Sequence, residues 1–137
     1  MFVTNNIGNE QKIPVDYQDI NSMQQFAYEY TAAHHHQLQP IKMLALFCAI
    51  ARLSDLRQVD YLSEEYDVGM FEDDDLSQKF KAIGKKIIMA DDVFIHHIGR
   101  ASFSKLADQT YQTIFNRNRA TYEKKWGPWV PHQPRKK

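Results

Sequence analysis

From Asp19 onward the apolar residues Ile20, Met23, Phe26, Ala27, Tyr30 and Ala33 recur at steps of three and four. That spacing lays one apolar stripe along a helix, and Asp19 stands where an N-cap belongs. The residues before it, 1–17, are rich in Asn, Gly and Pro without an apolar period and predict a loop. Pro40 closes the connection after the helix. Met43 to Ala51 (MLALFCAIA) is then a continuous apolar run, whose aromatic and cysteine content favours a strand over a short helix. A polar patch, Arg52 to Val59, leads into YLSEEYDVGMF, where Gly69 marks a turn or a close backbone approach.

The acidic run Glu72-Asp73-Asp74-Asp75 opens a second helix with the apolar face Leu76, Phe80 and Ile83. Gly84 supplies its C′ position, and Lys79, Lys81 and Lys85 bring positive charge toward its carboxyl end. Two short apolar runs follow, Ile87 to Ala90 and Val93 to Ile95, split by Asp91-Asp92 and of strand length. A last amphipathic helix is expected from about Ser104 to Lys124 through Leu106, Tyr111, Ile114, Phe115 and Tyr122, before a tail holding Trp126 and Trp129. Helices between short strands predict an α/β or α+β fold.

Composition narrows the class. The chain has 137 residues, 43% hydrophobic and 25% charged, which suits one folded domain spanning 1–137. Seventeen basic residues balance seventeen acidic ones, so no global field points to nucleic acid or an anionic membrane. No segment reaches the roughly 20 apolar residues of a membrane span, and the first residues lack a signal-peptide pattern, so a cytoplasmic location is expected. The single cysteine, Cys48, lies in the apolar run and is expected to be a buried thiol.

Consecutive carboxylates repel, and a helix amino terminus offsets that repulsion with partial positive charge and unpaired N–H groups. The acidic run is therefore readable as a capped helix start or as a general base at the mouth of a cleft, its pKa moved by neighbouring carboxylates. His96 and His97 follow a predicted strand, where alternation sends adjacent rings to opposite faces and leaves at most one for a cleft. His34 to His36 at consecutive helical positions would fan around the axis as a solvated face.

In sequence, GMFEDDDL, Gly84, DDVFIHHIG and SF resemble the second half of family 2 glycosyltransferases of the GT-A fold. The resemblance extends from VTNNIGNE through FCAIAR and YDVGMFEDDDLS to HHIGRASF and NRATYEKKWGPW, nearly the whole chain. It implies a partial GT-A-like domain, a short mixed sheet with flanking helices, lacking the N-terminal nucleotide-binding half. It further implies sugar transfer from a nucleotide-diphospho-sugar to an acceptor hydroxyl, with Asp73 first and Asp74 second as candidate base and Glu72 as an orienting neighbour. Gly69 and Phe71 would form the cleft rim, and His97 would match the histidine that completes coordination of a divalent manganese or magnesium ion. The Asp-x-Asp motif of the nucleotide half has no counterpart in its own context here, so the chain alone is expected to hold no tightly bound metal and to be inactive.

Two other readings stay open. In the first, the chain is a non-catalytic binding or assembly module that buries the surface of the missing half against a second copy or another chain. In the second, His96, His97, Asp91 and Asp92 serve an unrelated metal hydrolase, although adjacent strand positions face opposite ways.

Overall fold

The computed structural model describes residues 1–4, 9–97 and 108–134. Its elements run β1 (Phe2–Thr4), a 3-10 turn (Asn9–Gln11), α1 (Ile20–Ala33), β2 (Leu38–Ile41), β3 (Ala49–Ile50), α2 (Leu53–Gln58), α3 (Glu72–Ala82), β4 (Ile87–Ala90) and α4 (Asp108–Trp126). The protein is a mixed α/β structure around a four-stranded sheet of order β2-β4-β1-β3. β4 is parallel to β1 and antiparallel to β2, while β3 is antiparallel to β1. A short mixed sheet with flanking helices is therefore present. Among the described residues no helix is long and apolar enough to cross a membrane.

Several elements follow from local chemistry. Asp19 caps α1: its Oδ1 accepts the Ser22 N–H at 2.8 Å, and the Asp19 N–H donates to Ser22 Oγ at 3.1 Å, a reciprocal capping box. α3 ends at Ala82 with Ile83 as its C-cap, and Gly84 follows with φ of 73°, the left-handed position that glycine takes without a Cβ clash. β4 alternates, with Ile87 and Met89 buried and Ile88 and Ala90 half-buried.

Other expectations need correction. The stretch 1–17 is not all loop, because Phe2–Thr4 forms a strand between β4 and β3. Pro40 lies within β2 rather than closing a connection; β2 is an edge strand, where a missing N–H is tolerated. Only Ala49–Ile50 of the apolar run pairs as strand, and Cys48 is exposed rather than buried. The run serves the core through Leu44, which is fully buried in a loop held by two side chains. Gln11 Oε1 accepts the Ala45 N–H at 2.6 Å, and Ser77 Oγ accepts the Leu44 N–H at 3.1 Å. The polar patch after it carries the short α2, and 93–95 makes no ladder. The start of the last helix, with Ser104 and Leu106, and the segment Ile98 to Phe103 lie outside the described residues.

Two cores result. Leu44, Val59, Leu76, Phe80, Ile87 and Met89 join α3 to the sheet, and full burial of a side chain such as Phe80 stabilises by about 2–3 kcal/mol. Tyr66, Phe71 and Tyr122, with Met70, Phe115, Trp126 and Trp129 around them, join the start of α3 to α4 and the tail. α1 packs separately, its Phe26 ring standing 5.4 Å from Phe94 and 5.6 Å from Tyr17 between ring centroids.

Candidate functional site

The acidic helix start sits where the second core meets the sheet core, and the backbone leading to it is unusual. Val68, Gly69, Met70 and Phe71 all have positive φ, at 58°, 101°, 71° and 73°. Only glycine accepts that region freely; a left-handed non-glycine residue costs on the order of 1–3 kcal/mol, and β-branched Val68 is the most strained in kind. The loop holds this shape because Asn118, buried on α4, binds it. Its Nδ2 donates to the carbonyl oxygens of Asp67, Gly69 and Met70, and its Oδ1 accepts the Asp67 N–H. Arg117 adds an ion pair to Asp67 at the surface.

With the loop fixed, the four carboxylates have different environments. Asp75 is fully buried and saturated with donors: Ser63 Oγ at 2.6 Å, Trp126 Nε1 at 2.7 Å, Lys125 Nζ at 2.8 Å, Tyr66 Oη at 3.3 Å and Lys79 Nζ at 3.5 Å. Burial alone would raise its pKa. The hydrogen bonds from Lys125, Ser63 and Trp126 outweigh burial and hold it below the usual carboxylate value. Asp75 is thus an anchor of the second core.

Asp74 is buried against the tail, where His132 Nε2 meets its Oδ1 at 2.5 Å. That hydrogen bond raises the histidine pKa, with burial opposing it and the Asp74 charge adding to it. Asp73 has no such cation of its own. Its carboxyl is enclosed by protein although the residue as a whole is half-buried, and its pKa is pushed up to about 7. Desolvation is the main cause, followed by the charges of Asp74 and Glu72, against a lowering hydrogen bond from the Asp74 N–H at 2.9 Å. Glu72 Oε2 is buried and has no hydrogen-bond partner among the described residues, and neither has Trp129 Nε1. The Trp129 ring packs on Phe71, 5.3 Å between centroids, so Phe71 is a buried core residue as well as the residue before the acidic run.

The histidines separate. His96 is exposed and meets Tyr17 Oη through Nδ1, whereas His97 is half-buried with its ring 4.3 Å from Phe47. The two rings thus have different neighbours, in a stretch that makes no ladder. Asp91 is buried and accepts from Tyr30 Oη at 2.6 Å and Gln39 Nε2 at 2.8 Å. Among the described residues, the group of three metal-ligating side chains with donor atoms within 4.8 Å of one another is His35, His36 and Asp92. A hydrolase centre of His96, His97, Asp91 and Asp92 is therefore not assembled. His34 to His36 do not fan along a helix either, because α1 ends at Ala33 and the three occupy the turn after it.

Sequence reasoning overlooked Asn118, Asp75 and His132 as organisers of this region. Asn118 did carry a signal: it interrupts the stripe Phe115, Asn118, Tyr122 on α4, and a polar residue on a core-facing stripe implies a buried partner. Asp75 and Lys79 also stood at helical i,i+4 spacing. Comparison with known proteins adds nothing to this geometry: no family model, no curated protein and no solved structure matches the chain.

Proposed function

We propose that the chain is the acceptor side of a GT-A-like glycosyltransferase of the family 2 type, in which Asp73 is the base that deprotonates an acceptor hydroxyl. The observation that carries this reading is the place of Asp73 in the first turn of α3 between Glu72 and Asp74, where enclosure and the two neighbouring carboxylates push its pKa up to about 7, which suits a group that must accept a proton at neutral pH and release it again. The other carboxylates of the run are occupied in a way that supports the choice. Asp75 is saturated by donors and Asp74 is engaged by His132, so Asp73 takes precedence over Asp74.

Glu72 Oε2 and Trp129 Nε1 strengthen the reading further. Both are buried and without partners among the described residues, one an acceptor and one a donor, and the Trp129 ring packs on Phe71, the residue before Glu72. A hydroxyl group donates and accepts at once, and a polyhydroxylated ligand is the chemistry that satisfies such a pair. His97 is retained as the residue that would help hold manganese or magnesium on a sugar diphosphate, an ion that neutralises the leaving group. Acceptor attack at the anomeric carbon would then proceed in line, with the proton passing to Asp73.

The test uses this segment joined to a nucleotide-binding half. Asp73→Asn should abolish transfer while leaving nucleotide-sugar binding intact, and the wild-type rate should rise with pH through about 7. Transfer that survives Asp73→Asn would overturn the assignment. The chain alone should show no micromolar binding of uridine- or guanosine-diphosphate sugars with manganese in calorimetric titration, since the positioning of the anomeric carbon depends on contacts to the nucleotide.

The assembly-module reading has one observation in its favour. Phe47, Ile50 and Leu53 are exposed in and beside β3, an edge strand of the sheet. Concentration-dependent sedimentation of the chain tests it, and a monomer throughout the micromolar range would count against self-association.

A further inference from the structure

α1 ends at Ala33 and the chain reverses at once. His34 N–H bonds back to the Tyr30 carbonyl at 3.0 Å, Gln37 N–H bonds the His34 carbonyl at 2.8 Å, and His36 takes a left-handed φ of 59°. This tight turn throws the His35 and His36 rings together, 3.8 Å between centroids. His34 is excluded from the pair, because its Nδ1 meets the Tyr30 carbonyl at 2.8 Å and its ring stacks on Tyr30 at 3.9 Å.

Strand register then delivers a carboxylate to the same place. β2 and β4 pair Leu38 with Ala90 and run antiparallel, so continuing the ladder by two residues sets His36 opposite Asp92. The Asp91 N–H bonds the Gln37 carbonyl at 3.0 Å, which shows that the pairing does continue. Alternation turns Asp91 inward to Tyr30 and Gln39 and leaves Asp92 facing the turn, where its Oδ2 accepts the His36 N–H at 3.1 Å.

One donor atom from each of His35, His36 and Asp92 thus lies within 4.8 Å of the others. No hydrogen bond among the described residues engages the ring nitrogens of either histidine. The carboxyl end of a 14-residue helix with no basic residue in its last turn adds partial negative charge beside them. Two imidazoles and one carboxylate suit zinc and its borderline neighbours, whereas magnesium and calcium require mostly oxygen ligands. Donor atoms around a tetrahedral zinc stand roughly 3.3–3.5 Å apart, given ligand bonds of about 2.0–2.2 Å. Rotation of two exposed histidine side chains covers the difference.

We propose that His35, His36 and Asp92 form a surface site for one borderline divalent cation of the zinc class, which clasps the end of α1 to the end of β4. The site is separate from the carboxylates of α3 and does not depend on the glycosyltransferase reading. An ion held there would have a fourth position open to water.

Calorimetric titration of the 137-residue chain with zinc chloride in a non-chelating buffer tests the site. One ion per chain with a micromolar Kd is expected, together with a zinc-dependent rise in Tm. The double variant His35→Ala/His36→Ala should bind at least tenfold more weakly and lose the Tm rise. Asp92→Asn, whose amide oxygen can still accept the His36 N–H, should fold normally and bind several-fold more weakly. His34→Ala, His96→Ala and Cys48→Ser should leave zinc binding unchanged. Equal binding by the double variant, an equal loss in His34→Ala, or magnesium binding as tight as zinc would overturn the proposal.

Discussion

Asn118 Nδ2 donates to the Gly69 carbonyl oxygen at 2.8 Å, tying the middle of α4 to a turn whose residues are left-handed from Val68 to Phe71. Strain in that turn persists because one buried amide satisfies the backbone groups the conformation leaves without ladder partners. Asn118→Leu keeps the volume but removes every one of these bonds. Unfolding by urea should show a loss of about 2–4 kcal/mol, as expected when several buried polar groups lose their partner together. A loss under about 0.5 kcal/mol would mean that the turn holds itself.

Asp73 links stability to pH in the opposite sense from an ion-paired carboxylate. Its folded pKa, about 7, lies above the ordinary value of 3.8, so between those values the folded state binds more protons than the unfolded state. Stability therefore falls as pH rises through that window and is flat above it. Asp73→Asn removes the dependence. The variant should match wild type near pH 4 and exceed it at pH 8, by at most about 4.5 kcal/mol given roughly 1.4 kcal/mol per pK unit. Parallel stability curves for the two proteins would contradict the raised pKa.

His132 sits between these titrations. Its pKa is raised by its hydrogen bond to Asp74, so the tail contact contributes fully below the unfolded histidine pKa and is lost as pH rises through the folded one. The protonated ring also lowers the Asp73 pKa by direct charge. His132→Gln should consequently move the Asp73 midpoint upward, which carboxyl-carbon NMR titration resolves. A downward movement would place His132 outside the electrostatic reach of Asp73.

Removing Asp75 should be costlier than removing any other member of the acidic run. Asp75→Ala leaves Lys125, Trp126, Ser63 and Tyr66 without their shared acceptor in a buried setting, at a cost of about 3–5 kcal/mol. Because its folded pKa is depressed, the wild-type contribution is present above the ordinary carboxylate value and disappears as pH falls through the lower, folded one. Thermal melts of Asp75→Ala and Glu72→Ala at pH 7 should rank in that order, and the reverse ranking would show that the anchor lies elsewhere.

The elements governed by local chemistry were legible in the sequence. Asp19 announced α1, the acidic first turn and Gly84 bracketed α3, and β-branched residues marked Ile87 to Ala90. Elements defined by distant partners were not. Phe2–Thr4 is too short to show a period and is a strand only because β3 and β4 flank it, while the longer apolar run at 43–51 pairs at just two residues. At the site, the acidic run stood out by composition, but its division of labour did not. Whether a carboxylate is an anchor or a titrating group depends on Trp126, Lys125 and His132, at least fifty residues downstream of the carboxylates they touch. Asp91 and Asp92 likewise look equivalent as text and differ only once the β2–β4 register turns them apart.

Pro40 gives the sheet a direction of growth. Gln37 bonds inward to Asp91, so inward-facing groups fall at Gln37, Gln39 and Ile41, and the N–H that Pro40 lacks belongs to the outer margin of β2. A newly arriving strand finds a gap there where it needs a donor. Among the described residues nothing pairs with the far margin, β3, whose two residues are exposed and carry no proline. Among the described residues, a strand added at Ala49–Ile50 would meet a margin without proline and one added at Leu38–Ile41 would lack a donor, an asymmetry that would favour capped pairs of molecules over open fibrils.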